Sequence, residues 1–437
     1  MKILHIIPGS GGSFYCGNCL RDSKYVPALK SLGHDVVKIP MYLPLFANNN
    51  EESDTPVFYG AVSIYLKQQY PLFRKAPEWV DNLLNAKPLL KLAAKYSGST
   101  NAKGLEEMTV SMLMGAEGQQ SEELERMVDW IVGHYQPDII HLSNALLLGL
   151  AETIKKRLDT VLICSLQDED VWVDVMESPF REHIWNLMQR SVAYVDGFVS
   201  VSDYYATRMK EQMKIPAEKL TTIHIGVDPE DYHPKPIEEK KRAIGYVSRL
   251  CHDNGLDILV DAFIGLKKRE GFEDVTLELT GGSTAVDTQF IDGIKASLKK
   301  NNLLDQMQIH DDISAEGLRS FFDKVTVVSV PVRNGEAFGI YLLECMASGV
   351  PVIQPALGAF PEIIKISGGG VVYEPNEPAA LTQALADTLS DPALLKKLSL
   401  SGINGVKESF DITTQAMKMV KYYEQQNLKT ILLTHNQ

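Results

Sequence analysis

Two glutamates with a fixed spacing are the first candidates for chemistry. The segment GEAFGIYLLE places Glu336 and Glu344 eight positions apart around an apolar run. A strand pattern precedes them, and a helical pattern begins at Gly339. A helix N-terminus offers N–H groups and a partial positive charge, and a glycine there lets a ligand approach the backbone. The alternative is an ordinary helix with an acidic first turn.

The spacing favours a ligand with hydroxyl groups at both ends and phosphates in the middle. Glu344 lies roughly 7–8 Å beyond Gly339 along a helix axis. Carboxylates accept hydrogen bonds from sugar hydroxyls, while the helix terminus holds phosphates. The segment therefore predicts a site for a nucleotide sugar.

The elements that must position these residues follow a βαβ rhythm. Short β-branched runs alternate with amphipathic helical patterns, which predicts parallel sheets wrapped by helices. The proline-rich, charged stretch 226–242 interrupts the rhythm and is typical of a linker. We therefore predict an α/β fold with two Rossmann-like halves, a boundary near residue 235, and a ligand cleft between them. The predicted strands are residues 2–7, 35–39, 138–141, 161–165, 197–201, 243–248, 275–280, 307–310, 325–330, 350–354 and 371–373.

Composition excludes several classes of protein. The chain has 437 residues, a net charge of −13 and a pI of about 5.3, which argues against broad neutralisation of nucleic-acid phosphates. No stretch approaches the roughly 20 apolar residues that span a bilayer, and no targeting segment is recognisable. Five cysteines indicate a reducing cytoplasm. The Cys16-x-x-Cys19 pair matches a redox or half-zinc motif, but packing residues at a helix start are the favoured interpretation.

One segment is locally basic. Residues 63–103 contain seven basic and two acidic residues, a local charge of +5 in an acidic protein. They lie in a predicted helical insertion at about 63–130 of the first half. The favoured interpretation is a solvated helical face packed on that half, and the alternative is contact with an anionic membrane surface.

The segment GEAFGIYLLECMASGVPVI closely resembles the donor-site signature of retaining family-4 glycosyltransferases of the GT-B fold. Further segments agree in order and spacing: PGSGG at 8–12, GYVSRLCHDNGLDILVDAF at 245–263, LELTGG at 277–282 and LGAFPEII at 357–364. The resemblance implies an N-terminal acceptor domain at 1–235, a donor domain at 236–410, and a last helix and tail at 411–437 that return to the first domain. It also implies a hexosyltransferase-type, metal-independent enzyme of carbohydrate biosynthesis without a cofactor.

The resemblance assigns roles to individual residues. Glu336 would contact the transferred sugar, Glu344 would hold the ribose, and Arg249 would meet the diphosphate as the leaving group departs. The backbone amides of three residues would lie near the sugar and phosphates: Phe338, Gly339 and Ile340. The glycine turns and the phosphate loop add the remaining donor contacts: Gly11, Gly12, Asn254, Gly281 and Gly282.

Two positions depart from the family pattern. Asn254 stands where the family usually has a lysine, and His252 or Arg333 are candidate substitutes. Gln167 stands where a histidine is frequent, and glutamine cannot shuttle protons near neutral pH. Glutamine can still hydrogen-bond a sugar hydroxyl. Gln167 and Asp168 are candidate catalytic residues for this reason and because of their position, with Glu169 and Asp170 beside them. A non-catalytic protein that binds nucleotide sugars is the alternative function.

Overall fold

The computed structural model describes residues 1–8, 17–41 and 104–434. Gly11, Gly12, Cys16 and the basic segment 63–103 lie outside the described residues. Internal contacts divide the chain into two units. The first unit contains the described residues up to His224 except Gly17, together with those from Ala416 onward, and the second contains Ile225–Gln415.

The first unit is built on a six-stranded parallel sheet of order β2-β1-β3-β4-β5-β6. Its central strands are buried along almost their whole length, because helices cover both faces of such a sheet. The strands are β1 Lys2–Ile7, β2 Asp35–Pro40, β3 Ile139–Leu142, β4 Val161–Leu166, β5 Gly197–Ser200 and β6 Leu220–Thr222. The helices are α1 Gly17–Ser31, α2 Glu106–Leu113, α3 Ser121–His134, α4 Ala151–Arg157, α5 Glu169–Val173, α6 Phe180–Ser191 and α7 Asp203–Met213.

The second unit carries a second parallel six-stranded sheet, of order β12-β11-β10-β7-β8-β9. The strands are β7 Ala243–Val247, β8 Thr276–Thr280, β9 Met307–His310, β10 Val327–Val328, β11 Val352–Pro355 and β12 Gly370–Tyr373. The helices are α8 Leu256–Lys267, α9 Thr288–Lys300, α10 Ala315–Phe322, α11 Ile340–Ala347, α12 Phe360–Ser367, α13 Pro378–Leu389 and α14 Pro392–Ser409. The prediction of two parallel α/β sheets is confirmed.

The last helix, α15 Ile412–Thr434, is shared between the units by sequence. Its residues up to Gln415 belong to the second unit, and those from Ala416 onward belong to the first. Tyr423 of this helix contacts His141 of β3, which attaches the helix to the first sheet. Among the helices that the structure describes, none has the length and apolarity needed to cross a bilayer.

Candidate functional site

The order of the strands in the second sheet reverses between β7 and β10, which are neighbours in space but not in sequence. Ligands of doubly wound sheets bind beyond the carboxyl ends of the strands at such a switch point. The loop after β7 carries Arg249 and Asn254, and the loop after β10 carries Glu336 and Gly339. The topology thus places the main donor-site candidates of this unit on the two loops where a ligand is expected.

Arg249 is held by a carboxylate that sequence patterns did not reveal. Its Nε and Nη2 donate to Asp287 Oδ2 and Oδ1 at 2.9 and 2.8 Å, and Nη2 also donates to Thr284 Oγ1 at 3.1 Å. Burial alone would raise the pKa of the Asp287 carboxyl, but hydrogen bonds from Arg249 and Thr284 outweigh burial and lower it. The candidate diphosphate cation is therefore part of an ion pair.

Asn254 shapes the loop after β7 instead of adding a charge to it. Its Nδ2 donates to Ser248 Oγ at 2.8 Å and to the Arg249 carbonyl at 3.3 Å. The facing glycine turn approaches the same loop closely. A Cβ on Gly281, whose φ is +119°, would lie 2.2 Å from the Ser248 carbonyl oxygen, so this position requires glycine. Gly282 accepts from the Leu250 amide at 2.9 Å and completes the turn.

The N-terminus of α11 lies beside a carboxylate. Gly339 has φ +84° and precedes the helix as its N-cap, and a Cβ there would lie 3.1 Å from Glu336 Oε2. The Glu336 carbonyl accepts from the Ala359 amide at 3.0 Å, which joins the loop to the start of α12. The side chains of Phe338 and Ile340 are each 2% exposed, so only their backbone groups could meet a ligand.

Glu344 lies on α11, all of whose residues are buried, and is itself 5% exposed. Its Oε1 accepts from the Tyr232 hydroxyl at 3.1 Å. Tyr232 belongs to the predicted linker, and nothing in its local sequence indicated this contact. Burial and the neighbouring carboxylate raise the pKa of the Tyr232 hydroxyl well above its usual value, so the hydroxyl stays a donor.

The two candidate substitutes for the missing lysine differ in their surroundings. Arg333 donates to Asp257 Oδ2 and to the His252 carbonyl, the latter at 3.1 Å. The His252 side chain is 60% exposed and lies 3.6 Å from Asp253 and 3.9 Å from Asp257. Arg333 is therefore also balanced by a carboxylate, and the loop after β7 gains no unpaired cation from it.

Residues 167–170, which follow β4 in the first unit, differ in their surroundings. Gln167 is 3% exposed, its Nε2 donates to the Ser143 carbonyl at 2.8 Å, and its Oε1 has no partner among the described residues. Asp168 has a left-handed backbone with φ +56° and precedes α5. This conformation is uncommon for a residue with a Cβ and is a feature of strained or functional positions.

Glu169 and Asp170 form contacts inside the unit. Glu169 is 1% exposed and accepts from the Ala145 amide, the Gln167 amide and the Tyr205 hydroxyl, each at 2.8 Å. Asp170 accepts from the Tyr205 hydroxyl at 2.9 Å and pairs with Arg208 at 2.9 Å. Glu169 is thus a structural carboxylate, and this corrects its candidacy as a site residue.

His141 lies on β3 and is 1% exposed. Its ring nitrogens lie within hydrogen-bonding distance of Tyr423 Oη and of Ser165 Oγ, the latter at 2.7 Å. Burial first, and then the charges of His5 and Arg21, lower its pKa well below the usual value. His141 is therefore a neutral histidine with partners at both ring nitrogens.

Metal-ligating side chains and thiols are the remaining candidates for chemistry in the described ranges. No three His, Cys, Asp or Glu side chains there could together hold a metal ion. The free cysteines Cys164, Cys251 and Cys345 are buried, and burial raises the pKa of each thiol.

The family model for glycosyl transferases group 1 matches residues 228–404, and that for glycosyltransferase family 4 matches residues 117–231. The chain belongs to the family-4 glycosyltransferases. A lipopolysaccharide core biosynthesis mannosyltransferase of Rhizobium leguminosarum bv. viciae is 28% identical over 212 residues, 46% of this chain and 59% of the relative. The match thus spans about three fifths of that relative's length.

Solved structures of other proteins show a similar fold over nearly the whole chain. A sucrose-phosphate synthase from Thermosynechococcus elongatus has a TM-score of 0.71 at 18% identity, covering 97% of this chain and 99% of that chain. Anabaena HepE in complex with UDP has a TM-score of 0.68 at 17% identity, covering 97% of this chain and 100% of that chain. The GT-B fold predicted from the donor-site signature is confirmed by these similarities.

Proposed function

We propose that this family-4 glycosyltransferase is a retaining enzyme that moves a sugar from a nucleotide-diphosphate sugar to an acceptor. The observation that carries the proposal is the placement of Arg249, Glu336 and Gly339 on the two loops at the switch point of the second sheet. A cation, a carboxylate and a helix N-terminus there match the parts of such a donor.

The second unit would bind and polarise the donor. Arg249 and the amides at the start of α11 would hold the diphosphate, Glu336 would orient the sugar, and Glu344 would hold the ribose. As the sugar–phosphate bond lengthens, the sugar gains positive character and the phosphate gains negative charge. Fixed donors and dipoles then stabilise the separated charges without reorganisation. We propose that this chemistry transfers a hexose without a metal.

The first unit would contribute Gln167 and Asp168. A glutamine amide cannot take up the acceptor proton, so the departing phosphate oxygen would accept it as the new glycosidic bond forms. Gln167 would then act by hydrogen bonding to a sugar hydroxyl. The acceptor class is a glycan, glycolipid or small molecule, and the lipopolysaccharide-directed relative supports the first two.

A non-catalytic nucleotide-sugar binder is the second candidate, favoured by Asn254 and Gln167 at positions where the family usually has lysine and histidine. Turnover separates the two functions, because hydrolysis or transfer with any nucleotide sugar excludes the binder. A thermal-shift screen against UDP-, GDP- and ADP-sugars, followed by assay of each stabilising compound, is the direct test. A chain stabilised by a donor that it never turns over would support the binder.

The proposal also includes a location. We propose a cytoplasmic protein. Peripheral contact with the inner membrane face through residues 63–103 is the alternative to a solvated helical face there, and the local charge of +5 supports it. Nucleic acid is not among the proposed partners, because the whole chain is acidic.

Glu344→Ala tests the donor assignment. Losing a charge-assisted contact to the ribose should weaken binding of the nucleoside diphosphate about tenfold or more, measured by calorimetry with UDP, GDP and ADP. Glu239→Ala removes an exposed glutamate of the same unit and is the control. Because Glu344 is buried, Glu344→Gln and the melting temperature of each variant show whether folding is intact. Unchanged affinity would mean that the ribose is bound elsewhere.

A further inference from the structure

Arg249 is fixed on one edge and open on the other. Its Nε and Nη2 are committed to Asp287 and Thr284, whereas Nη1 bonds to no residue in the part of the chain that the structure describes. The guanidinium is planar, so two bonds from one edge to a carboxylate fix the plane and the direction of the other edge. The Arg249 side chain is 26% exposed, against 6% for Asp287.

The carboxylate that holds Arg249 is itself anchored. Asp287 Oδ2 accepts from the Thr284 amide at 2.8 Å and from the Thr284 hydroxyl at 2.7 Å, closing a capping box at the turn before α9. These bonds place the carboxylate whether or not Arg249 is present. The turn thus fixes the carboxylate, and the carboxylate in turn fixes the guanidinium.

A second bidentate Arg–Asp pair in the same unit differs from this one, because its aspartate is exposed. Arg242 donates to Asp274 from Nε at 3.0 Å and also from Nη2. The Asp274 side chain is 60% exposed, lies at the surface and is ten times more exposed than Asp287. Exposed pairs of this kind contribute little.

We propose that Asp287 is a positioning residue that orients Arg249 toward the leaving diphosphate. The inference rests on the proposed function. It assigns a role in donor chemistry to a residue outside the family signature, 38 positions from Arg249 in sequence. Its rival is that Asp287 only neutralises Arg249 and competes with the phosphates.

Positioning of Arg249 and competition with the phosphates affect different constants, kcat and the affinity for nucleoside diphosphate. Orientation matters most when charge develops on the phosphate, since a misplaced group can slow a reaction by about a hundredfold. The Asp287 charge opposes the phosphates already in the ground state. Positioning therefore predicts that loss of Asp287 lowers kcat while the affinity for nucleoside diphosphate changes little or rises. Competition alone predicts higher affinity with an unchanged or higher kcat.

Asp287→Asn separates positioning from folding. The asparagine carbonyl oxygen can still accept both Thr284 bonds and the Arg249 Nε bond, so the cap survives. Its amide nitrogen faces Arg249 Nη2, and this breaks the bidentate pair. Asp274→Asn makes the same change at the exposed pair and is the matched control.

The experiment measures donor hydrolysis or transfer with UDP-glucose, GDP-mannose and ADP-glucose, together with calorimetric affinity for UDP, GDP and ADP. For Asp287→Asn we expect kcat to fall about tenfold to a hundredfold, KM and diphosphate affinity to stay within about threefold or tighten, and the melting temperature to match the Asp274→Asn control. In the Arg249→Ala background, Asp287→Asn should have no further effect on kcat, because a positioning residue acts only through its partner.

The outcomes are distinct. An unchanged kcat in Asp287→Asn, or an equal loss in the presence and absence of Arg249, overturns the positioning role and leaves the proposed function standing. A parallel fall in kcat, affinity and melting temperature also overturns it, since that is the mark of a structural residue. A wild-type chain that neither binds nor turns over any of the probes overturns the proposed function, and the positioning role with it.

Discussion

Burial decides which carboxylates of the first unit can meet a ligand. Asp168 is partly exposed, whereas Glu169 is enclosed and receives three donors. Burial raises the pKa of Glu169 to about 7, and the hydrogen bonds from Ala145, Gln167 and Tyr205 offset only part of that shift. The residue joins the ends of β3 and β4 to α7, and its protonation state is therefore linked to stability.

The link has a definite sign. The folded-state pKa of Glu169, about 7, lies above the ordinary value of 4.5, so the folded chain holds an extra proton between these pH values. The stability due to the protonated carboxyl is complete below the ordinary pKa and is lost as pH rises through about 7. Relative to Glu169→Gln, whose amide does not titrate, the wild type should lose unfolding free energy between about pH 5 and 8.

Urea denaturation of both chains at about pH 5, 6, 7 and 8 measures this difference. Other titrating groups cancel because the two chains share them. A constant difference across the series would show that Glu169 does not change protonation on unfolding.

The element that carries a candidate residue can be predicted from sequence where a motif is local. The donor signature placed Glu336 and Gly339 on one loop and Arg249 on another, and the fold brings those loops to adjacent strands. Partners distant in sequence could not be found this way. The contact between Tyr232 and Glu344 spans 112 positions. No pattern in a single amino-acid sequence predicts a contact between residues so far apart.

At the scale of elements, the junction of the β10 loop with α11 depends on one backbone angle. Gly339→Ala adds a Cβ at φ +84° that would lie 3.1 Å from Glu336 Oε2 and 3.2 Å from a Phe360 ring carbon. We expect donor turnover to fall at least about tenfold, because the carboxylate must move away from the helix terminus.

Gly271→Ala is the control, since Gly271 has φ +87° in the same unit and a Cβ there would meet nothing within 4 Å. Both variants should lose stability by about 1–2 kcal/mol from the left-handed strain. Chemical denaturation checks that loss, and assay of the two chains isolates the effect on Glu336. Equal turnover in the two variants would show that the close approach of residue 339 to Glu336 does not affect turnover.

Attachment of α15 to the first sheet supplies another prediction. Tyr423→Phe leaves a ring nitrogen of fully buried His141 without its hydroxyl partner, which should cost about 1–3 kcal/mol of unfolding free energy. Tyr422→Phe removes the neighbouring hydroxyl, whose bonds to the Lys219 and Phe198 carbonyls are 3.2 and 3.5 Å, and should cost less. Urea denaturation of both variants gives the comparison, and an equal loss would contradict it.

Element predictions from sequence were most accurate for long β-branched runs. The run 2–7 matches β1, whereas the predicted strand 325–330 is reduced to the two residues of β10. Residues 329–332 remain buried but follow a different backbone, so their composition could not distinguish strand from buried loop. The three-residue strand β6 was missed, because Leu220–Thr222 is too short for a periodic pattern.

At the scale of the whole molecule, charge is distributed unevenly. The chain carries −13 overall, while residues 63–103 carry +5, so the remainder carries −18. An anionic membrane attracts basic side chains by roughly 1 kcal/mol each near its surface and repels the acidic remainder. Attachment through this segment would therefore be weak, electrostatic and sensitive to ionic strength.

Co-sedimentation with vesicles of phosphatidylcholine and phosphatidylglycerol tests that attachment. We expect binding at low salt that is lost at about 0.5 M salt, where the screening length is only a few ångströms, and no binding to vesicles of phosphatidylcholine alone. The triple change Lys87→Glu, Lys91→Glu and Lys95→Glu should abolish it. The matched control changes exposed lysines of α9, Lys295→Glu, Lys299→Glu and Lys300→Glu, and alters the net charge equally. If both triple variants lose binding equally, the attraction follows net charge, and the basic segment has no specific role.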